Sequence, residues 1–259
     1  MKTISVIIAA YRAADFIRSA IDSVLAQQLP DNYRLQLILG IDGCESTKQA
    51  VSTIRDERLL VLNMDHNYGT YITFNTMMRF AAGDLIARFD ADDIMLEGYL
   101  RRQIEILEQH PDVYLTWTRS QYIDPEGRHI TDESQDIITA PAYWEIRSAS
   151  DGQFVMRKEL WSSLGGFKPW RCNSDTDFLF RMQFMGFKEY GILEVLYQRR
   201  IHPGSLTQCR ETGYDSEMRR AVREIMNRER NARTTKEECR VEPVVGRLAD
   251  AEGCTLPEL

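Results

Sequence analysis

The densest chemistry in the chain lies in four consecutive residues, Asp90-Ala91-Asp92-Asp93. Three carboxylates in four positions repel one another, so a compensating cation is expected beside them. Hard oxygen ligands at this density suit Mg2+ or Mn2+, and Mg2+ is usually held by one or two carboxylates together with substrate phosphates. The plainer use of the same residues is an acidic, solvated turn that caps the next helix; their place directly after an apolar strand favours the metal. Asp175 and Asp177 form a second acidic pair. At a helix N-terminus such carboxylates are stabilised by free amides and the helix dipole, a purely structural use. The catalytic use is a general base within reach of an acceptor hydroxyl. His202, in Arg200-Ile201-His202-Pro203-Gly204-Ser205, would join two carboxylates in the mixed nitrogen and oxygen site that Mn2+ tolerates. The patterns HExxH, GxSxG and GxxxxGK[ST] are absent, which disfavours a zinc protease, a serine hydrolase and a P-loop NTPase. No GxGxxG follows the first apolar run, which disfavours a dinucleotide-dependent dehydrogenase.

The elements that must position these groups alternate along the first half. Continuous apolar, β-branched runs at residues 4–10, 35–41, 59–63, 85–89 and 113–118 read as buried strands. Helical spacing fills the intervals at 15–28, 46–55, 70–82 and 97–109, with Pro30, Gly83 and Pro111 as stops. This predicts an α/β domain with a mostly parallel sheet. In such sheets ligands sit beyond the carboxyl ends of the strands. Ala10 and Tyr11, Asp42, Asn67, and Asp90 to Asp93 all fall there, so residues far apart in sequence meet at one edge. The second half is less regular. Residues 119–150 read as loop-rich, 153–156 and 196–201 as strands, and 158–164, 175–185 and 213–233 as helices.

Composition bounds the remaining choices. The 259 residues are 43% apolar and 27% charged, as in globular chains, which excludes disordered and collagen-like classes. No run approaches the roughly 18 apolar residues of a membrane span, and the first apolar run lacks the features of a secretory signal. Five scattered cysteines without CxxC argue against a disulfide framework or cysteine zinc site and fit a reducing, cytoplasmic setting. Net charge is −7, yet residues 199–240 hold 11 Lys and Arg against 7 Asp and Glu, a local balance of +4.

In this combination the chain resembles glycosyltransferase family 2, the inverting transferases of GT-A fold. SVIIAAY at 5–11 is similar to the family's opening strand and donor-base loop, and LILGIDG at 37–43 to its second strand with the base-contacting acid. Asn67-Tyr68-Gly69, Asn75 and Ala82-Gly83-Asp84 resemble the stretch before the metal motif, which IARFDADD at 86–93 resembles in turn. LGGF at 164–167, NSDTDFLFR at 173–181 and RIHPGSLT at 200–207 are similar to the acceptor-side turn, the acidic catalytic helix and the late metal-binding loop. Two departures stand out: a single acid, Asp42, at the second strand, and Ser174 where the family often has Glu.

The resemblance implies a GT-A nucleotide-diphospho-sugar transferase domain at 1–210, followed by a charged helical tail with an irregular end at 211–259. It implies a UDP-sugar donor, with Asp42, Tyr11, Ala10, Asn67, Gly69, Asp90, Ala91 and Asp93 around it. It implies Mn2+ or Mg2+ on Asp92 and His202, with Asp90 in the same region, and Asp175 as the base. Asp151, Phe167, Trp170 and Asp177 are the residues expected to face the acceptor. The acceptor expected is a glycan or lipid-linked glycan of surface polysaccharide synthesis. The arginine-rich segment keeps DNA as an alternative acceptor, and a non-catalytic nucleotide-sugar-binding module is a further alternative. The tail helix is the expected place for an anionic acceptor, a second subunit or peripheral contact with the inner membrane face.

Overall fold

The computed structural model describes residues 1–130 and 152–249. Asp151 and most of the stretch read as loop-rich lie outside the described residues. In chain order the elements are β1 (Lys2–Ala10), α1 (Ile17–Leu25), β2 (Tyr33–Ile41), α2 (Glu45–Val51), β3 (Leu59–Asn63), α3 (Thr70–Met77), β4 (Leu85–Asp90), β5 (Ile94–Met95) and α4 (Tyr99–Gln109). They continue with β6 (Val113–Ile123), β7 (Phe154–Arg157), α5 (Lys158–Leu164), α6 (Ser174–Met185), β8 (Lys188–Arg200) and α7 (Glu217–Ala232).

The strands form one mixed sheet in the order β3-β2-β1-β4-β7-β6-β8-β5. β1 lies between β2 and β4, parallel to both, and β3 extends the parallel half. The other half is mixed: β7 runs antiparallel to β4 and β6, β8 is parallel to β6, and β5 is antiparallel to β8. Since the chain moves outward from β1 to β3 and then returns to add β4 on the opposite side, the strand order reverses between β1 and β4. A crevice for ligands opens at the carboxyl ends of such a reversal. The register places Ala9 opposite Asp90 and Ala10 opposite Ile41, so Tyr11, Asp42 and Ala91 begin that crevice.

Both faces of β1 are buried, which explains its unbroken apolar run. Ile4, Val6 and Ile8 join Ile17, Ile21 and Val24 of α1 and Leu100, Ile104 and Leu107 of α4 on one side. Ile7 and Ile38 pack on the other against Phe74 and Met77 of α3, Leu160 and Leu164 of α5, and Phe178 and Met182 of α6. Sequence patterning underestimated two strands. β6 runs on to Ile123, and β8 begins at Lys188 rather than at residue 196. Both extensions are polar and at least half-exposed (Arg119, Ser120 and Gln121; Glu189 and Glu194), and each becomes strand by pairing with the predicted part of the other: Ser120 with Tyr197 and Ile123 with Arg200, Leu115 with Glu189 and Thr118 with Ile192. Two-residue β5 carries no pattern of its own and is defined by Ile94 and Met95 opposite Gln198 and Tyr197.

The residues beyond 210 pack back onto the body. Ser216 caps α7 by accepting from the Arg219 amide at 3.1 Å. After α7 the chain crosses α5: the Val241 amide donates to the Leu164 carbonyl at 2.9 Å. At that crossing Gly165 has φ +73°, and a Cβ there would stand 1.7 Å from the Val241 carbonyl oxygen, so only glycine lets the two backbones meet. Farther on, the Asn75 side chain donates to the Val244 carbonyl at 3.0 Å, and the Ala249 amide reaches the Asn63 carbonyl at the end of β3 at 2.8 Å.

Candidate active site

At the crevice, β2 ends in Asp42, whose buried carboxylate accepts from the Asn67 side-chain amide at 2.9 Å and from the Tyr68 and Gly69 amides at 2.8 Å each. The expected donor-base acid therefore has a visible local role, which is to shape the loop after β3. Gly43, with φ +62°, lets that loop close, since a Cβ there would lie 2.3 Å from the His66 carbonyl carbon. Gly69 opens α3. Arg171, exposed, donates to Asn67 and lies along Gly69, which bridges the donor loop to the segment before α6. Tyr11 is exposed beside it, with the Arg12 guanidinium 5.1 Å from its ring centre. Ala10 is buried, and its carbonyl accepts from the Asp42 amide at 2.9 Å.

β4 delivers the acidic run. Asp90 is 3.1 Å from a guanidinium nitrogen of Arg88. Burial pushes its carboxyl above the ordinary range, Arg88 counteracts this, and the Asp92 and Asp175 carboxylates push it further up. Asp92 remains partly open, with its Oδ2 2.9 Å from His202 Nε2. His202 is held by the Phe16 ring, 4.7 Å between centres, and by its own amide donating to Ser205 Oγ. The Asp92 and His202 pair fits a hard divalent ion. Two cis ligands of an octahedral ion at about 2.0–2.1 Å stand about 2.9 Å apart. Among the described residues no third His, Cys, Asp or Glu completes a cage. The remaining positions would fall to diphosphate oxygens and water, the usual arrangement for Mg2+.

Asp93 is placed differently from its expected contact with the donor. It is 2% exposed, and both oxygens are taken, Oδ2 by Gln153 Nε2 at 2.7 Å and Oδ1 by the Arg200 amide at 2.9 Å. It ties β7 and β8 to the acidic turn and has no free lone pair aimed outward. Burial, then Asp92 and Asp90, push its carboxyl well above the ordinary range. Arg200 continues the brace, donating to the carbonyls of Asp92, Asp124 and Pro125 at 2.9 Å each.

Asp175 stands in the first turn of α6, half-buried, its Oδ1 accepting from the Thr176 amide at 2.8 Å. Two buried residues line the space between it and Asp90. Tyr71 is pushed well up by burial and by the Asp175 carboxylate. Arg88 is a fully buried cation: burial opposes its charge, but Asp90 and Asp175 outweigh that and hold it protonated more firmly than usual. It donates to the Gly152 carbonyl, and its guanidinium lies 5.8 Å from the Tyr71 ring centre. Sequence reasoning missed Arg88, although an arginine inside the apolar strand Leu85-Ile86-Ala87-Arg88-Phe89 was the available signal.

Two residues expected to face the acceptor lie in the interior. Asp177 is 1% exposed and binds Arg181 Nε at 2.7 Å and Lys168 Nζ at 3.2 Å, with Arg233 at 3.9 Å. Phe167 is fully buried and packs edge-on against Tyr71, Phe74, Trp161 and Phe178 at 5.1–5.3 Å between centres. Both brace α6 instead of meeting a ligand. Trp170 is half-buried, with Lys168 Nζ 4.7 Å from its ring centre, and it remains at the open side.

The model of glycosyl transferase family 2 matches residues 5–175. Glycosyltransferase EpsE of Bacillus subtilis is 25% identical over 202 residues, 76% of this chain and 72% of its own length. A shorter match, 104 residues at 32% identity, covers 40% of this chain and 40% of WfgD of Escherichia coli. That protein is named as a UDP-Glc:alpha-D-GlcNAc-diphosphoundecaprenol beta-1,3-glucosyltransferase. The succinoglycan biosynthesis protein ExoO of Rhizobium meliloti is 25% identical over 76% of this chain and 48% of its own length. In fold, the chain is similar to Staphylococcus aureus TarS in complex with UDP-GlcNAc, at TM-score 0.66 and 17% identity over 92% of this chain and 69% of TarS. It is also similar to the Pyrobaculum calidifontis mannosyltransferase PcManGT in complex with GDP-Man and Mn2+, at TM-score 0.63 and 19% identity over 78% of this chain and 58% of that one. Among the described residues no helix is long and apolar enough to cross a membrane.

Proposed function

Because the chain belongs to glycosyl transferase family 2 and is a glycosyltransferase, we propose that it performs inverting transfer from a UDP-sugar to a hydroxyl of a growing, lipid-linked surface glycan. The observation that carries this reading is the placement of Asp175. It is a half-buried carboxylate at the amino end of α6, beside Tyr71 and across Arg88 from the acidic turn whose Asp92 meets His202. The names of ExoO and WfgD support the glycan class, and WfgD and TarS support the uridine nucleotide.

In this reading Tyr11 and the Asp42-shaped loop 67–69 hold the base and ribose at the ends of β1 and β2. Asp92 and His202 would hold the divalent ion, while Arg88 pins the neighbouring Asp90. When bound, the ion supplies Lewis-acid stabilisation to the departing diphosphate. Asp175 takes the proton from the acceptor hydroxyl as that oxygen attacks the anomeric carbon from the face opposite the diphosphate. Arg88 neutralises part of the carboxylate charge on both sides and keeps Asp90 and Asp175 oriented. Trp170 offers an aromatic edge for the acceptor sugar.

The test is a panel of UDP- and GDP-sugars with Mn2+ or Mg2+, read as nucleotide release and as binding by calorimetry. A UDP-sugar is expected to be turned over fastest. Asp92→Ala should lose the metal-dependent part of UDP binding. Asp175→Asn should keep UDP binding and lose about 10²–10⁴-fold in turnover. Turnover near the original rate in Asp175→Asn would remove Asp175 from the base position.

A further inference from the structure

The residue before the catalytic helix has a backbone that needs an explanation. Asn173 sits at the amino end of α6 with φ 62° and ψ 9°, in the left-handed region, and is 6% exposed. Its carbonyl accepts from the Asp177 amide at 3.0 Å and so starts the helix. Asn tolerates this conformation better than most residues but does not prefer it. Something must hold it, and the holding group comes from α7, 46 positions away in sequence: Arg219 donates to Asn173 Oδ1 at 2.8 Å. Asn173 Nδ2 has no partner among the described residues, so Arg219 is the side-chain anchor of this turn.

Arg219 is itself 6% exposed, and it spends its other donors on one loop. Nε donates to the Thr212 carbonyl at 2.6 Å and the second terminal nitrogen to the Leu206 carbonyl at 3.2 Å. Thr212 Oγ1 reinforces the loop by donating to the same Leu206 carbonyl at 2.8 Å. That loop continues directly from His202: the Ser205 amide donates to the His202 carbonyl at 3.0 Å, and Ser205 Oγ accepts from the His202 amide at 3.3 Å. One planar guanidinium therefore joins two segments, the turn that aims Asp175 and the loop that follows His202. The fork geometry suits several fixed carbonyl acceptors at once, which an ammonium cannot reproduce.

We propose that Arg219 is a positioning residue for the transfer reaction: by holding Asn173 left-handed and the 206–212 loop in one grip, it sets the base segment relative to the His202 segment. The inference rests on the reading of Asp175 as the base. It gives α7 a role in turnover and places no substrate on it. Loss of the grip lets the 173–175 turn relax toward right-handed backbone and swings Asp175. A displacement of about 1 Å at a reacting group costs on the order of 10²-fold.

The test uses Arg219→Lys, which keeps charge and much of the volume, in the full chain, with the nucleotide sugar that the unaltered chain turns over fastest. The expected result is a loss of about 10–100-fold in kcat with an unchanged donor KM, in a chain that stays folded at the assay temperature. Amide exchange read by mass spectrometry should quicken in residues 173–177 and in 205–212 together. Asn173→Gly supplies the second variant, because glycine adopts positive φ without an anchor. In that background Arg219→Lys should cost clearly less than in the original chain, a non-additivity expected of residues acting through one another. An unchanged kcat, an equal loss in both backgrounds, a loss confined to donor KM, or quickened exchange in the 205–212 loop alone would overturn the proposal. If Asp175→Asn leaves turnover intact, the base reading has failed, and paired exchange in the two segments still decides whether Arg219 couples them. If Asp175→Asn abolishes turnover and Arg219→Lys does not alter it, only the role of Arg219 has failed.

Discussion

The two acidic clusters of this glycosyltransferase look alike in sequence and are held by opposite means. Asp90-Ala91-Asp92-Asp93 and Asp175-Thr176-Asp177 each seal one carboxylate in the interior, while Asp90, Asp92 and Asp175 keep part of their surface exposed. The sealed member of the first, Asp93, is hydrogen-bonded by neutral donors, the Gln153 amide and the Arg200 backbone. The sealed member of the second, Asp177, sits among three cations, Arg181, Lys168 and Arg233. The environment of the open member follows from this. Near Asp93 the negative charge is offset only in part, by Arg88 and Arg199, so the turn that carries Asp92 keeps a local demand for positive charge. Around Asp177 the cations outnumber the carboxylate, with Glu229 sharing Lys168, so the turn of α6 that carries Asp175 is tied by ion pairs to the segments around it. One sealed carboxylate is held by neutral donors and the other by cations.

Breaking the second cluster should have the largest effect on stability. Asp177→Ala leaves Arg181, fully buried, without its carboxylate, a loss of about 3–5 kcal/mol. Urea unfolding should show it, and a shift below about 1 kcal/mol, within the range of an exposed pair, would mean that the three cations do not depend on Asp177. Asp93→Asn is expected to cost less, about 1–3 kcal/mol near pH 5, because a single acceptor is lost. The pH dependence sharpens the contrast. A carboxyl raised in the folded state contributes stability that is full below its ordinary value and is lost as pH rises through the shifted one. The original chain should therefore lose urea resistance with rising pH in a way that Asp93→Asn does not, and parallel pH curves for the two would refute the raised ionisation of Asp93.

Cys44, like Asp93, is held by neutral donors. Burial pushes its thiol up, but the hydroxyls of Ser46 and Thr47 and the amides of Thr47 and Arg12 outweigh this and bring it down to about 7. Less buried than Asp93 and without carboxylate neighbours such as Asp92 and Asp90, it shifts in the opposite direction. A depressed thiol contributes stability that is full above its ordinary value and is lost as pH falls through about 7. Alkylation of Cys44 should have a midpoint near pH 7, and Ser46→Ala should move that midpoint upward. A midpoint near the ordinary thiol value would show that the hydroxyls do not hold the anion.

Much of this was legible in local pattern. The apolar runs of β1, β2 and β4 are buried on both faces, so they announce themselves, and the residues just past their ends, Tyr11, Asp42 and Asp90, fall at the crevice by topology alone. The polar extensions of β6 and β8 were not legible, because each takes its strand character from pairing with the predicted part of the other strand, far away in sequence. Asp93, Asp177 and Phe167 were misplaced at the ligand for a related reason. Their partners, Gln153 and Arg200, Lys168 and Arg233, and the ring cluster of Tyr71, Phe74 and Trp161, are supplied by other elements. Arg88 and Ser216 were within reach, the first as a charge inside an apolar strand and the second as a serine opening a helical run.

By itself the sequence determined which carboxylates exist, the strands they follow and the edge they share, since strand burial and connection order act over a few residues at a time. Only the tertiary structure decided which of them are sealed in the interior. A carboxylate is open or sealed according to the donors and cations that distant elements bring to it, and that sorting is what separates Asp92 and Asp175 from Asp93 and Asp177.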